Sequence, residues 1–204
     1  MFSFFVKLKE LKSQQEMKKN IKPILLSFIV TIAAFTMAIY NSSCNLDKCN
    51  SVSCANGGVC QHGSCVCPTG FEGIYCETEV RQKFTGNWQV FEKGSHSLAA
   101  QYPIHIINGD ADQPVTYVRI YNFYNYFFRG PIYGYVQDST LIIPVQNIQG
   151  KIVYGQGTIY SSNTYGQYGG ITMRYIVQDT LTHIKDDFGY EATVDFSEPS
   201  QWNK

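Results

Sequence analysis

The chain has 204 residues, with 16% charged and 15% aromatic side chains. This is the composition of a packed, β-prone globular protein and excludes a disordered one. Formal net charge is zero, but residues 1–23 carry six Lys against two Glu, while residues 44–204 carry ten Lys/Arg against fourteen Asp/Glu. The bulk of the chain is therefore mildly acidic, and no basic face for a nucleic-acid partner is visible.

Lys18, Lys19 and Lys22 precede an uncharged run over residues 23–40. A positive segment followed by an apolar one is the pattern of an export signal. As a helix the run would span about 27 Å against a hydrocarbon core of about 30 Å. That is short for a permanent span. Met17-Lys18-Lys19-Asn20 reads as an ordinary signal start, which leaves residues 1–16 as an extension or as a cytoplasmic stub on a type II anchor. Asn41-Ser42-Ser43-Cys44 comes next and resembles a bacterial lipobox, with small Ser43 before the cysteine and Asn41 in place of the usual aliphatic residue. The resemblance implies acylation of Cys44, and several acyl chains anchor stably where one is marginal.

All seven cysteines lie within residues 44–76. Such density means an oxidising compartment or a metal site. Paired thiolates at C-x₂-C spacing are expected for zinc; the close pair here, Cys65 and Cys67, is separated by one residue, so no metal is expected. From residue 49 to residue 76 the order is Cys49, Cys54, Cys60, Cys65, Cys67, Cys76, with Asn56-Gly57-Gly58 before Cys60 and Gly70-Phe71-Glu72-Gly73 before Cys76. So short a segment cannot bury a self-sufficient core. Disulfides must stabilise it, at about 3 kcal/mol each for loops of this size. Spacing alone leaves the connectivity open. The pattern resembles an EGF-like domain, and the resemblance implies the pairs Cys49–Cys60, Cys54–Cys65 and Cys67–Cys76. Cys44 is then left over, which fits lipidation; the alternatives are a free thiol or an intermolecular disulfide. Some EGF-like domains bind calcium just before the first cysteine. Asn45 and Asp47 match in type, but Lys48 places a cation there and the loop Gln61-His62-Gly63-Ser64 is short, so calcium is not expected.

Beyond residue 79 cysteine disappears and short β-prone runs recur at about 86–92, 100–107, 115–122, 130–137, 139–146, 151–160, 170–178 and 188–196. Ile171, Met173, Tyr175 and Val177 alternate with polar residues and mark one buried face. Many short strands separated by turn signals predict an all-β domain, either an eight-stranded up-and-down barrel or a β-sandwich. The chain thus divides into residues 1–43, a disulfide module at 44–79 and an all-β domain at 80–204. Phe84-Thr85-Gly86-Asn87-Trp88 resembles the G-x-W opening of lipocalin-like barrels, which implies an inward Trp88 and an Arg near the last strand stacked on it. No such Arg stands in residues 190–196.

Residues 121–129 are the most aromatic stretch and read either as a ligand face or as packing at a strand end, the latter favoured. Residues 160–170 read as a Tyr/Gly-rich loop, and Asp186-Asp187 as a solvated turn. None of the four histidines, His62, His96, His105 and His183, belongs to a catalytic signature. His105, between Ile104 and Ile106, reads as the outward side of a strand. No enzymatic activity, catalytic residue or cofactor is therefore expected.

The combination of lipobox, single EGF-like module and β-domain resembles envelope lipoproteins of the Bacteroidota. It implies an outer-membrane protein, anchored by lipid or by an apolar helix, that binds a protein, a glycan or a small apolar ligand. Two other functions compete with it: a purely structural display protein on a type II anchor, and a small envelope hydrolase. An enclosed apolar cavity would favour binding, an interior filled by its own side chains would favour display, and His and carboxylates around a cleft would favour hydrolysis.

Overall fold

The computed structural model describes residues 27, 31, 32, 48–127, 129–191 and 197–204. The apolar run 23–40, Cys44, Asn45 and Asp47 lie outside the described residues, apart from the three isolated positions in the run. Among the described residues no helix is long and apolar enough to cross a membrane. The chain divides into two compact units, Met1–Lys48 and Cys49–Lys204.

Three disulfides, Cys49–Cys60, Cys54–Cys65 and Cys67–Cys76, cross-link the start of the second unit. Strands β1 (Val59–Gln61) and β2 (Ser64–Val66) form an antiparallel hairpin. Its two-residue turn, His62-Gly63, has φ of 53° and 89°. Positive φ at both central residues is the geometry whose twist matches that of the flanking strands. Strands β3 (Phe71–Glu72) and β4 (Thr78–Glu79) pair next, and a 3₁₀ turn over Val80–Lys83 leads onward.

This module is joined to the β-domain by several contacts. The Val80 amide donates to the Gly70 carbonyl (2.9 Å), Arg81 Nη1 donates to the Tyr117 carbonyl (3.2 Å), and buried Lys83 pairs with Glu72 (2.8 Å). Gly70 has φ +95°, and a Cβ there would collide with Val115 Cγ1. Only glycine meets both the backbone and the spatial requirement.

The all-β domain is a closed eight-stranded barrel. Its strands are β5 (Gly86–Glu92), β6 (Ala100–Asn108), β7 (Tyr117–Tyr121), β8 (Ile132–Gln137), β9 (Thr140–Ile148), β10 (Lys151–Ser162), β11 (Gly166–Asp179) and, after the short β12 (Lys185–Phe188), β13 (Ser200–Asn203). Each barrel strand pairs antiparallel with the next. β13 also pairs with β5, through Trp202↔Val90, and so closes the ring. β12 pairs with the far half of β11, through Tyr175↔Phe188. The barrel, not the sandwich, is the outcome.

Alternation sorts the two faces. Trp88, Val90, Ile104, Ile120, Met173 and Trp202 are buried inside, whereas Gln101, His105 and Arg174 stand on the exposed face. A transmembrane barrel has the reverse polarity, with an outward apolar band. Inward Gly155 and Gly157 on β10 leave room for Tyr175 and Met173, opposite them on β11; a Cβ at either glycine would strike those side chains. Small facing large is how a narrow barrel is filled by its own residues.

Two expectations need correction. The final barrel strand is not at 188–196: β12 ends at Phe188, residues 192–196 lie outside the described residues, and the closing strand is Ser200–Asn203. That strand offers only Ser200 and Trp202 as inward positions, too few for alternation to be read. Nor is 160–170 a loop. β10 runs to Ser162, β11 resumes at Gly166, and Tyr160 pairs with Gly170. The Tyr160 ring covers Gly170, replacing the packing a glycine lacks.

Because the barrel has no cysteine, reduction should separate the two parts. Far-UV circular dichroism in reductant is expected to retain the barrel signal, while proteolysis cleaves within residues 49–76. Each native disulfide lost from so small a module costs about 2–5 kcal/mol. Collapse of the β signal in the same step would show that the barrel depends on the module.

Candidate binding site at the free end of the barrel

The disulfide module packs at the end of the barrel that carries the β8–β9 turn. There Cys67, Pro68 and Phe71 face Val136 and Asp138 across a cavity of about 330 Å³. Among the described residues, the opposite end is built from the segments 93–99, 122–127, 129–131, 149–150, 180–191 and 197–199.

A short plug, residues 122–127, crosses that end. Asn122, Tyr124 and Asn125 have φ of 60°, 57° and 47°. Asn tolerates this left-handed region; Tyr rarely does, and such a residue costs of order 1–3 kcal/mol unless its surroundings impose it. Here they do. Phe123 and Phe127 are fully buried, with the Phe123 ring 4.6 Å from Tyr175 and 5.9 Å from Trp202. Tyr124 sets its ring edge-on to Phe188 at 5.8 Å and donates its hydroxyl to Asp186 Oδ2 (2.9 Å). Of the aromatic run, then, Phe123 and Phe127 pack and Tyr124 faces the rim.

Beneath the plug lies Glu92, the last inward position of β5. Its carboxylate accepts the Tyr102 hydroxyl, the Tyr175 hydroxyl (2.6 Å) and the Ser200 hydroxyl (2.7 Å). Ser200 Oγ in turn accepts Trp202 Nε1–H (2.9 Å). Burial raises the Glu92 carboxyl above its ordinary range; the three hydroxyl donors oppose this and the nearby Asp186 charge adds to it. Burial likewise raises the phenols of Tyr102, Tyr175 and Tyr124.

Asp186 and Asp187 are not a solvated turn: they are 5% and 2% exposed. Asp186 Oδ1 accepts the amides of His96 (2.8 Å) and Ser97 (3.2 Å). Asp187 accepts the amides of Tyr190 and Glu191 and the Ser197 hydroxyl (2.6 Å), while its own amide donates to Ser95 Oγ. A carboxylate so supplied with donors can leave water. The pair ties the loop at 94–97 and residues Tyr190, Glu191 and Ser197 to β12. Sequence reasoning missed this because consecutive acids read as surface. For Glu92 a signal did exist, since it continues the inward series Trp88, Val90.

Against Asp186 and Tyr124 opens a cavity of about 230 Å³, walled on the β5–β6 side by His96 and Ser97. Lys151, Asp179, Thr182 and Ile184 form the other wall, with Val177 behind them. Lys151 Nζ pairs with Asp179 Oδ2 (3.3 Å) and stands 4.8 Å from the Tyr126 ring centre. Asp179 Oδ1 accepts the amides of Leu181 and Thr182, each at 2.9 Å, and together with Lys151 these donors hold its carboxyl at about 2. Leu98 and Leu181, on the same two loops, are 88% and 89% exposed.

Of the four histidines only His96 lines this cavity. His62 is in the module's hairpin turn, His105 is exposed with its ring 2.7 Å from Asn87 Oδ1, and His183 sits in the turn after β11. The His96 ring contacts Ser95 Oγ (3.1 Å), while Asp186 holds the His96 amide rather than its ring. Among the described residues no group of three His, Cys, Asp or Glu side chains could hold a metal ion. No protein-family model and no curated protein matches the chain.

Proposed function

We propose that the protein is an exported, membrane-anchored binding protein of the cell envelope. In this reading an EGF-like module separates the anchor from a lipocalin-like barrel, whose ligand site is the cavity at the end remote from the module. The observation that carries it is the contrast between the two parts of the barrel. The interior is packed with its own aromatic side chains, whereas the far rim holds an open cavity with polar groups of both signs. Export is supported by the three disulfides, which persist in oxidising compartments. The lipocalin-like reading gains support from Lys204, whose Nζ lies 4.9 Å from the Trp88 ring centre just beyond the last strand. The cation on the Trp is thus a lysine beyond β13 rather than an arginine at 190–196. Trp88 itself is buried, donating Nε1–H to the Phe84 carbonyl (2.7 Å).

The hydrolase reading keeps one supporting observation: His96, Asp179 and Asp186 line one cavity. Both carboxylates are engaged by backbone amides, and neither pairs with the imidazole in the structure, so binding is the better-supported activity.

Saturation-transfer NMR on the full chain in lipid nanodiscs tests the reading. Four small probes are used: a neutral methyl glycoside, arginine amide, hexanoate and hexanol. A signal from at least one probe that falls at least fivefold in Ile184→Arg is expected, because Ile184 is half-exposed on the cavity wall. No signal from any probe, or signals indifferent to that variant, would contradict a rim site. Intact mass from a native type of host should give a chain beginning at an acylated Cys44.

A further inference from the structure

The rim cavity has a chemistry narrower than binding in general, and a ligand class assigned to it rests on the rim being the binding site. The volume of about 230 Å³ lies under the roughly 300–1,000 Å³ that drug-sized ligands occupy. It suits one small ring.

The hydrogen-bond capacity left on its walls can be counted. A carboxylate offers about four acceptor positions. Asp186 uses three, for the amides of His96 and Ser97 and for the Tyr124 hydroxyl. Asp179 uses four, for the amides of Leu181 and Thr182, for Lys151 and for the Thr182 hydroxyl. Asp186 therefore keeps one position for a ligand donor. The Lys151 ammonium has three N–H donors and gives one to Asp179, so it can donate to a ligand acceptor. The Ser97 hydroxyl, which accepts the Gly94 amide, can still donate, and the Tyr124 hydroxyl, whose proton goes to Asp186, can still accept.

Donors and acceptors are therefore interleaved within one small space, and formal charges of both signs line it. An anion would meet Asp179 and Asp186, and a cation would meet Lys151. The ligand that answers every wall is uncharged and both donates and accepts at several points, which is the chemistry of neighbouring alcohol groups. Val177, Ile184 and the Tyr124 ring supply apolar surface for the C–H faces of such a molecule. The acceptors are also fixed in place before any ligand arrives. Asp186 is clamped by the two loop amides and by a tyrosine held in a left-handed conformation, and preorganisation of this kind lowers the cost of binding.

We propose that the cavity binds a neutral polyhydroxylated ring, the size of one sugar unit. The same chemistry is presented by a free monosaccharide and by the terminal ring of a glycan.

The test uses the full chain in nanodiscs, with empty nanodiscs as control. Methyl α-D-glucopyranoside, methyl α-D-mannopyranoside, methyl β-D-galactopyranoside and myo-inositol are compared by saturation-transfer NMR, with arginine amide and hexanoate beside them. At least one neutral ring is expected to give a signal that falls at least fivefold in Lys151→Met and in Ile184→Arg. The second variant changes an exposed position and so keeps the barrel intact. A disaccharide and a polysaccharide ended by the responding ring then separate the two sources: weaker binding of both than of the free glycoside indicates a free sugar, and equal or tighter binding indicates a glycan terminus. If only arginine amide or hexanoate gives an Ile184-dependent signal, the polyol assignment falls while the rim site stands. Silence from every probe removes both. A sugar signal unchanged in both variants comes from elsewhere and also overturns the proposal.

Discussion

Replacing Trp202 by alanine is expected to lower unfolding stability by about 3–5 kcal/mol, the usual range for emptying a core aromatic site. Trp202 is 1% exposed, meets Phe123 edge-on at 5.9 Å and donates its indole N–H to Ser200. It also sits on β13, the four-residue strand that pairs with β5 on one side and β11 on the other. The substitution therefore empties the core at the seam where the barrel closes. Domains are commonly stable by only about 5–15 kcal/mol, so much of the total would be lost. Urea unfolding followed by far-UV circular dichroism measures it, with Trp202→Phe as the smaller perturbation. A loss below about 1 kcal/mol would mean that the barrel does not depend on this closure.

Glu92→Ala is expected to be comparably damaging for a different reason. It removes the common acceptor of Tyr102, Tyr175 and Ser200. A buried hydroxyl left without a partner costs about 1–3 kcal/mol, and the three do not add fully because water or repacking can serve some of them. The expected net loss is about 3 kcal/mol. Glu92→Gln keeps the shape and isolates the charge. Since burial raises the folded-state pKa above the ordinary value of 4.5, the folded protein binds this proton more tightly than the unfolded chain. The corresponding stability is present in full below the unfolded pKa and fades as pH rises through the folded one. Stability of the natural protein should thus decline from about pH 4 up to the raised Glu92 pKa, relative to Glu92→Gln, whose profile should be flatter there. Equal slopes for the two proteins would show that Glu92 is not a perturbed acid.

Most of the barrel can be read from the chain because its strands alternate. Runs at 86–92, 100–107 and 151–160 correspond closely to β5, β6 and β10, and the face Ile171, Met173, Tyr175, Val177 points inward. The G-x-W motif places Trp88 inside, and it is 1% exposed. The features that escape sequence reading are those made by partners distant along the chain. β13 is too short to show a period, and its identity as the closing strand depends on β5, more than a hundred positions earlier. Asp186 and Asp187 look like surface until the amides of residues 96, 97, 190 and 191 are brought to them. The candidate site does not announce itself for the same reason. His96, Tyr124, Lys151 and Asp186 come from four segments with no shared motif, and only closure of the barrel gathers them.

The barrel is filled by its own side chains, and the binding proposed for this protein belongs to its rim. Xenon pressurisation of crystals tests this most directly, because a dry apolar cavity of about 150 Å³ takes up xenon. No xenon is expected among Trp88, Phe123, Met173, Tyr175 and Trp202, whose side chains occupy the barrel axis region as one core. A well-occupied xenon site among those residues would contradict the account and return the ligand site to the interior.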